Sequence, residues 1–362
     1  MSFSITDLMR PNIASLIPYS SARNEFTGRA EVFLDANENW RDFVGDKGRN
    51  RYPDPMQRAL KQKIEQVLGL PMDKLVVGNG SDEIIDLLFR IFCVPGRDKV
   101  LVMSPTYGAY QVFADINNVG VSDCPLKDDF TVDLHRLEAI CHLINMGNPS
   151  TGMHKMLFLC SPNNPSGNSI PLEPIRHIAT CFKGITVVDE AYFDFSGKPS
   201  AVTLMEECPR LVVMRTLSKS WGLANARVGL AVAPPEMVAA MNKVKYPYNM
   251  SGIAQELAIE ALGQADEVAR GVREIITERT LVATRLRNYR FVLEVYPSDA
   301  NFLLVRVEDP NGVYDYLKGR GIIIRNRTTV RGCFGCVRIT IGSKTENQKL
   351  LQALDEWEVM SC

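Results

Sequence analysis

Nowhere in the sequence do about 18 apolar residues run without interruption, the length a helix needs to cross a bilayer, so no membrane span is expected. Met1 to Pro11 lacks the basic flank and apolar stretch of a secretory leader, which points to the cytoplasm. Basic residues do not gather into a stripe: 41 Lys and Arg are scattered among 42 Asp and Glu, for a formal net charge of -1. Zinc-finger and helix-turn-helix spacings are missing too, so nucleic acid is not an expected partner. Cysteine is sparse and odd in number, nine in 362 residues, which argues against a disulfide framework and for reduced thiols that fill the core. One pair, Cys333-Phe334-Gly335-Cys336, has half the spacing of a redox or metal site, but no second pair and no nearby histidine complete it, and no metal is expected. Internal repeats and low-complexity segments are absent as well.

What is present is an ordinary globular composition, 46% apolar and 23% charged, in a chain long enough for one large domain and a smaller one. Short β-rich runs alternate with helical stretches from about residue 70 to 235, the pattern of an α/β unit with a mostly parallel sheet. The strand candidates there are Leu75–Gly78, Lys99–Met103, Val121–Pro125, Met156–Cys160, Thr186–Asp189, Leu211–Arg215 and Val228–Ala233. Several are apolar throughout, as strands covered on both faces are. Helical periodicity fills Asp82–Cys93 and Leu172–Phe182. After Pro247 the pattern changes to the helices Ile253–Leu262 and Val268–Arg287, then a strand Phe302–Val307, a helix Asn311–Leu317 and the strands Ile322–Arg325 and Cys336–Ile341. Residues 1–50, rich in Pro, Asn and Arg, read as an arm that lies on something else together with part of the small domain, 51–250 as the large domain and 251–362 as the small C-terminal one.

Four segments fall at the carboxyl ends of expected strands, the edge at which open α/β sheets bind ligands. Lys219, after Leu211–Arg215, is flanked by Thr216, Ser218 and Ser220, and Arg227 follows a short Gly-containing loop. A lysine amine forms an imine with an aldehyde, and hydroxyls and a guanidinium hold a phosphate. Alone, such a pair is usually a solvated surface loop. Val187-Val188-Asp189-Glu190-Ala191-Tyr192 is an apolar strand ending in a carboxylate. Buried there, Asp189 needs a cationic partner, and a protonated pyridine nitrogen is one. Its plainer alternative is a helix N-cap. Ser161-Pro162-Asn163-Asn164-Pro165-Ser166-Gly167 is a turn first, yet it sets Asn164 at the same edge. Gly78-Asn79-Gly80-Ser81-Asp82-Glu83 leads into a helix whose N-terminus makes an anion cradle. Tyr107, after Lys99–Met103, offers a ring to stack on a flat cofactor.

Taken together these segments resemble the fold-type I pyridoxal-phosphate aminotransferases, and within them the histidinol-phosphate aminotransferase family. The narrower likeness rests on Leu34-Asp35-Ala36-Asn37-Glu38-Asn39, Arg51-Tyr52-Pro53-Asp54, Gly78 to Ile85, Arg215 to Ser220 with Arg227, and Val337-Arg338-Ile339-Thr340-Ile341-Gly342. It spans roughly residues 17 to 342, nearly the whole chain. The resemblance implies a large domain with a mostly parallel seven-stranded sheet between helices, a smaller α+β domain and an N-terminal arm. It implies pyridoxal 5'-phosphate joined to Lys219, Asp189 on the pyridine nitrogen, Asn164 and Tyr192 on the ring oxygen, and Tyr107 stacked on the ring. The cofactor phosphate would meet Gly80, Ser81, Asp82, Thr216, Ser218 and Arg227, and Tyr52 from the second subunit of a homodimer. Arg338 is similar to the arginine that grips a carboxylate. Arg325 is similar to the one that takes the substrate phosphate, helped by Tyr19 and by Tyr248 from the partner. Without the likeness, either arginine reads as solvated strand-end charge.

Two departures lie in the arm: Trp40 stands where the family continues with proline, and Ser20-Ser21 where it has Pro-Gly. The expected reaction is transfer of the amine of histidinol phosphate to 2-oxoglutarate, a step of histidine biosynthesis. Alternatives are a threonine-phosphate decarboxylase or an aromatic or broad-specificity aminotransferase on the same scaffold, or a regulator that senses the cofactor. The last normally adds a DNA-binding domain, for which the chain has no spare residues.

Overall fold

The computed structural model describes residues 4–19, 30–45, 47–147 and 152–361. Ser20 and Ser21 lie outside these. Seven strands form the main sheet: β1 (Leu75–Asn79), β2 (Lys99–Val102), β3 (Gly120–Asp123), β4 (His154–Cys160), β5 (Ile185–Asp189), β6 (Leu211–Thr216) and β7 (Val228–Val232). Their spatial order is β1-β7-β6-β5-β4-β2-β3. Pairings from β6 across to β3 are parallel, while β7 runs antiparallel to both β6 and β1. The chain goes outward from β2 to β3, then returns to β4 and builds in the other direction. This leaves a switch point between β2 and β4, where their carboxyl ends diverge.

Why these segments are strands is visible in their burial. Every residue of β5 and β7 is buried, and in β4 only His154 is not. Successive side chains go to opposite faces. Phe158 and Val187 join Ile84, Leu88 and Phe89 of the helix Ser81–Phe92 on one side. Leu157, Leu159 and Val188 join Leu60, Ile64 and Ile178 on the other. Residues 5–13 also pack on the first of these cores, through Ile5, Leu8 and Ile13. Trp40 is exposed, with the Arg41 guanidinium 4.6 Å from its ring centroid.

A second, wholly antiparallel sheet of β8 (Val292–Val295), β9 (Phe302–Val307), β10 (Arg325–Asn326) and β11 (Cys336–Thr340) has the order β10-β11-β9-β8. Leu303, Val305, Val337 and Ile339 face the helices Ala265–Leu286, Pro310–Gly319 and Lys344–Ser361 and make a separate core with them. The opposite face carries Phe302 and Leu304, which pack toward the main sheet through Tyr192 and Phe130.

The expected strand Ile322–Arg325 is displaced: β10 begins only at Arg325. Gly321, at φ +76°, turns the chain out of the preceding helix, and the Ile322 amide is held by Leu317 O instead of a neighbouring strand. β3 starts one residue before the expected Val121 and stops at Asp123, ahead of Pro125, which has no N–H for the ladder. The periodicity reading named neither β8 nor the helices Arg58–Leu68, Ala109–Ile116, Leu134–Asn145, Pro235–Val244 and Lys344–Ser361. Among the described residues all eight cysteines are free, no cluster of three metal-ligating side chains occurs, and no helix is long and apolar enough to cross a membrane.

Candidate active site

The carboxyl ends of β4, β5 and β6 and the loop after β2 converge on a cleft of about 540 Å³. Ten of the residues singled out from sequence wall it: Ser81, Asp82, Tyr107, Asn164, Asp189, Tyr192, Thr216, Ser218, Lys219 and Arg227, joined by Cys160 and Ala191.

At one end is an anion cup. Gly80, at φ +80°, turns β1 into the helix Ser81–Phe92, whose first amides have no intrahelical acceptor. A Cβ at Gly80 would collide with the Arg227 guanidinium, and one at Gly229 would collide with the Gly80–Ser81 peptide, so only glycine lets β7 and the cup come this close. Arg227 Nη2 donates to Asp82 Oδ2 at 3.1 Å, and Nη1 reaches Ser218 Oγ at 3.5 Å. Thr216 Oγ1 accepts from the Ser218 amide at 3.1 Å, which folds the hydroxyl loop toward the same point. Tyr107 donates from its phenol to Asp82 Oδ1 at 3.2 Å. Burial, then the Asp82 charge, push that phenol up to about 12.

At the other end, Asp189 is 3% exposed and terminates β5, so it is no helix cap. It accepts from the Tyr110 phenol at 2.7 Å and from the Ala191 amide at 3.0 Å, and among the described residues no cation forms an ion pair with it. Burial therefore holds its carboxyl above the ordinary range, although the Tyr110 bond works against this. Next to it, Glu190 faces away from the cleft and is locked by Arg215 Nε at 3.0 Å, Ser200 Oγ at 2.7 Å and the Ala201 amide at 2.7 Å.

Between the two ends lie Lys219, Asn164 and Tyr192. Lys219 opens into the cleft, its Nζ 5.5 Å from the Tyr192 ring centroid. Partial desolvation, then the charges of Arg338 and Arg227, lower its pKa. Asn164 donates to the Tyr192 phenol oxygen at 3.4 Å and accepts from Arg338 Nη1 at 2.5 Å. Its turn is fixed by Asn163, which donates to Pro105 O at 2.9 Å and accepts from Thr106 Oγ1 at 3.1 Å. The bonds from Asn163 thus set Tyr107 and Asn164 in one frame.

Of the remaining expected residues, Gly80 forms the turn of the cup and Arg338 reaches the cleft through Asn164, with Arg325 beyond it on the same face, while Tyr19, Tyr52 and Tyr248 lie apart. Tyr52 and Tyr248 stack on each other, centroids 4.4 Å apart, and Tyr19 is 75% exposed beside Tyr246 and Pro247. Arg325 is exposed on β10, directly opposite Arg338. Sequence reasoning missed Tyr110, which lies one helical turn after Tyr107 and whose ring packs against Tyr107 edge-on at 5.6 Å.

A cup of amides, hydroxyls and a guanidinium at one end, a buried carboxylate with no cation at the other and an amine between them fit a flat group with an anionic tail, a carbonyl and a protonated ring nitrogen. The model of the aminotransferase class I and II family matches residues 20–354. A histidinol-phosphate aminotransferase of Parabacteroides distasonis is 46% identical over 97% of this chain and 98% of its own length. One from Christiangramia forsetii is 45% identical over 98% and 99%. The crystal structure of histidinol-phosphate aminotransferase from Sinorhizobium meliloti in complex with pyridoxal-5'-phosphate superposes with a TM-score of 0.76 at 25% identity, covering 86% of this chain and 84% of that one. The chain belongs to the class I and II aminotransferases, on the branch of the histidinol-phosphate aminotransferases.

Proposed function

We propose that the protein transfers the amino group of L-histidinol phosphate to 2-oxoglutarate, giving imidazole acetol phosphate and glutamate, as a cytoplasmic homodimer with pyridoxal 5'-phosphate. The observation that carries the reading is the amine of Lys219 set between the anion cup and an Asp189 carboxylate that burial leaves without a cation. Whole-length relatives that bear the histidinol-phosphate aminotransferase name support the choice of substrate. Separate apolar cores for the two sheets support a large and a small domain, with the boundary after the helix Gly252–Leu262, since Ala258 and Leu262 pack in the main-sheet core.

When bound, pyridoxal 5'-phosphate supplies an aldehyde that takes up amines and a ring that draws electrons from the adjoining carbon. Ser81, Thr216, Ser218, Arg227 and the Gly80 turn would hold its phosphate, with Tyr52 of the partner subunit, while Asp82 orients Arg227 and Tyr107. Asp189 would keep the ring nitrogen protonated, Asn164 and Tyr192 would hold the ring oxygen, and Tyr107 would offer its ring to the flat group. Lys219 Nζ, its pKa lowered, is the base that takes the proton from the carbon bearing the substrate amine. Arg338 grips the carboxylate of glutamate or 2-oxoglutarate. Arg325, Tyr19 and the partner's Tyr248 meet the substrate phosphate.

Incubation of the cofactor-loaded enzyme with histidinol phosphate and 2-oxoglutarate is expected to yield glutamate. Release of carbon dioxide from threonine phosphate, with no glutamate formed, would overturn the reading.

A further inference from the structure

We infer that Arg327 is a specificity-determining residue: it makes the arginine face of β10 and β11 a site for a dianionic phosphate monoester in preference to a carboxylate. This rests on the proposed reaction and deepens it.

Antiparallel pairing sets Arg325 opposite Arg338. Beyond the end of β10, the Arg327 amide donates to Cys336 O at 2.8 Å, which carries the ladder one step further. Side chains alternate along a strand, so Arg325 and Arg327 share one face, and Arg338 stands on the same face across the ladder. That face looks into the cleft: the Arg338 guanidinium sits 5.1 Å from the Phe302 ring centroid, and Phe302 packs edge-on against Tyr192 at 5.1 Å.

Like charges placed opposite each other across a sheet repel. The repulsion is felt here, since the charge of Arg327 lowers the pKa of Arg338 and that of Arg325 lowers the pKa of Arg327, in each case after burial. Among the described residues no carboxylate pairs with any of the three. Arg338 has Asn164 as a neutral acceptor. The Nε atoms of Arg327 and Arg338 are both buried without any acceptor. Most buried donors in a protein interior are matched, and although Arg306 Nε is another exception, these two stand on one face beside Asn164, where an anion from outside the chain would match both.

The count of charges selects the missing anion. A carboxylate has two oxygens and one charge, which a single guanidinium fork satisfies. A phosphate monoester carries a charge of roughly -1.5 to -2 near neutrality and three acceptor oxygens. Arg338 suffices for the first, and Arg325 and Arg327 together supply the further charge and donors that the second needs. The Arg327 Nε is enclosed, so the guanidinium is held in place and does not swing in from solvent.

The test uses the cofactor-loaded enzyme and its Arg327→Gln and Arg327→Lys variants. For Arg327→Gln, kcat/KM for histidinol phosphate is expected to fall about 10- to 100-fold, the value of one charge-assisted hydrogen-bonding partner, with glutamate changed less than about threefold. Inhibition by inorganic phosphate should weaken in parallel, and inhibition by glutarate should not. Arg327→Lys keeps the charge but loses the fork, and should fall between at an unchanged melting temperature. Equal losses on both substrates, or unchanged phosphate inhibition, overturn the inference. A wild type that forms no glutamate from histidinol phosphate sinks the proposed reaction, and the ratio of phosphate to glutarate inhibition in the three proteins still decides the role of Arg327.

Discussion

The two walls of the cleft are built on opposite terms. On the main-sheet wall most polar groups are answered by another part of the chain: Tyr110 by Asp189, Asn163 by Pro105 and Thr106, Arg227 and Tyr107 by Asp82. On the second-sheet wall three guanidinium groups line one face with a single neutral acceptor and two enclosed nitrogens unmatched. On the proposed function, the difference separates chemistry from recognition. Groups that must hold geometry to a fraction of an ångström are locked by their neighbours before any ligand arrives. Groups that must choose a ligand are left in an arrangement only the right ligand relieves.

The comparison breaks most readily at Lys219. Lys219→Ala should lower amine transfer by about 10³-fold or more, since it removes both the anchoring amine and the base, with little change in melting temperature. Retention of a tenth of wild-type turnover would mean that the locked wall is not where the chemistry happens. Asp189→Asn keeps the shape and removes the charge, and a fall in kcat of about 10²-fold is expected. If only KM rose, Asp189 would be a packing group. On the other wall, Arg325→Ala should raise KM for the phosphorylated amine about tenfold and that for glutamate much less, because exposed Arg325 adds charge without a fixed seat. Equal effects on the two would blur the division between phosphate and carboxylate.

The smallest effect tests whether unmatched burial is special to the ligand wall. Lys61, 5% exposed, has its pKa lowered to about 8 by burial and then by the charge of Lys245. Its unfolded value is the ordinary 10.5, so between the two the unfolded chain binds more protons and stability rises with pH across that window. Lys61→Met should therefore stabilise the protein by on the order of 1 kcal/mol below pH 8, with the gain fading as pH approaches 10.5. Urea unfolding at pH 7 and pH 10 checks this, and a gain that does not shrink would place its origin in packing and not in the charge.

The main-sheet wall was legible because each of its groups follows an apolar run that reads as a buried strand: Asn164 after β4, Asp189 at the end of β5, Lys219 after β6. Tyr110 was not, since a tyrosine inside an amphipathic helix looks like core until its phenol is seen against Asp189. Arg327 was hidden by a displaced strand. Ile322, Ile323 and Ile324 imitate a β run, and only with β10 placed at Arg325–Asn326 does the spacing of two between Arg325 and Arg327 become visible as a shared face. That β7 runs against its neighbours left no trace either, because a strand apolar on both sides reads the same in both directions. Tyr19, Tyr52 and Tyr248 lie away from the cleft, and no periodicity in the sequence marks where they stand.

The antiparallel contact of β1 with β7 has a bearing on how the molecule matures. It joins Leu75–Asn79 to Val228–Val232, segments far apart in the sequence, and presses Gly229 against the Gly80 turn under Arg227. Closing so long a loop comes late in assembly, because its entropy must be met before the contact gives anything back. The cup is complete only once that closure has happened. An anionic cofactor seated there would bind the finished fold and not its precursors, and by mass action would draw newly made chains toward completion. On that reading, cofactor supply would set how much of the chain reaches the finished fold.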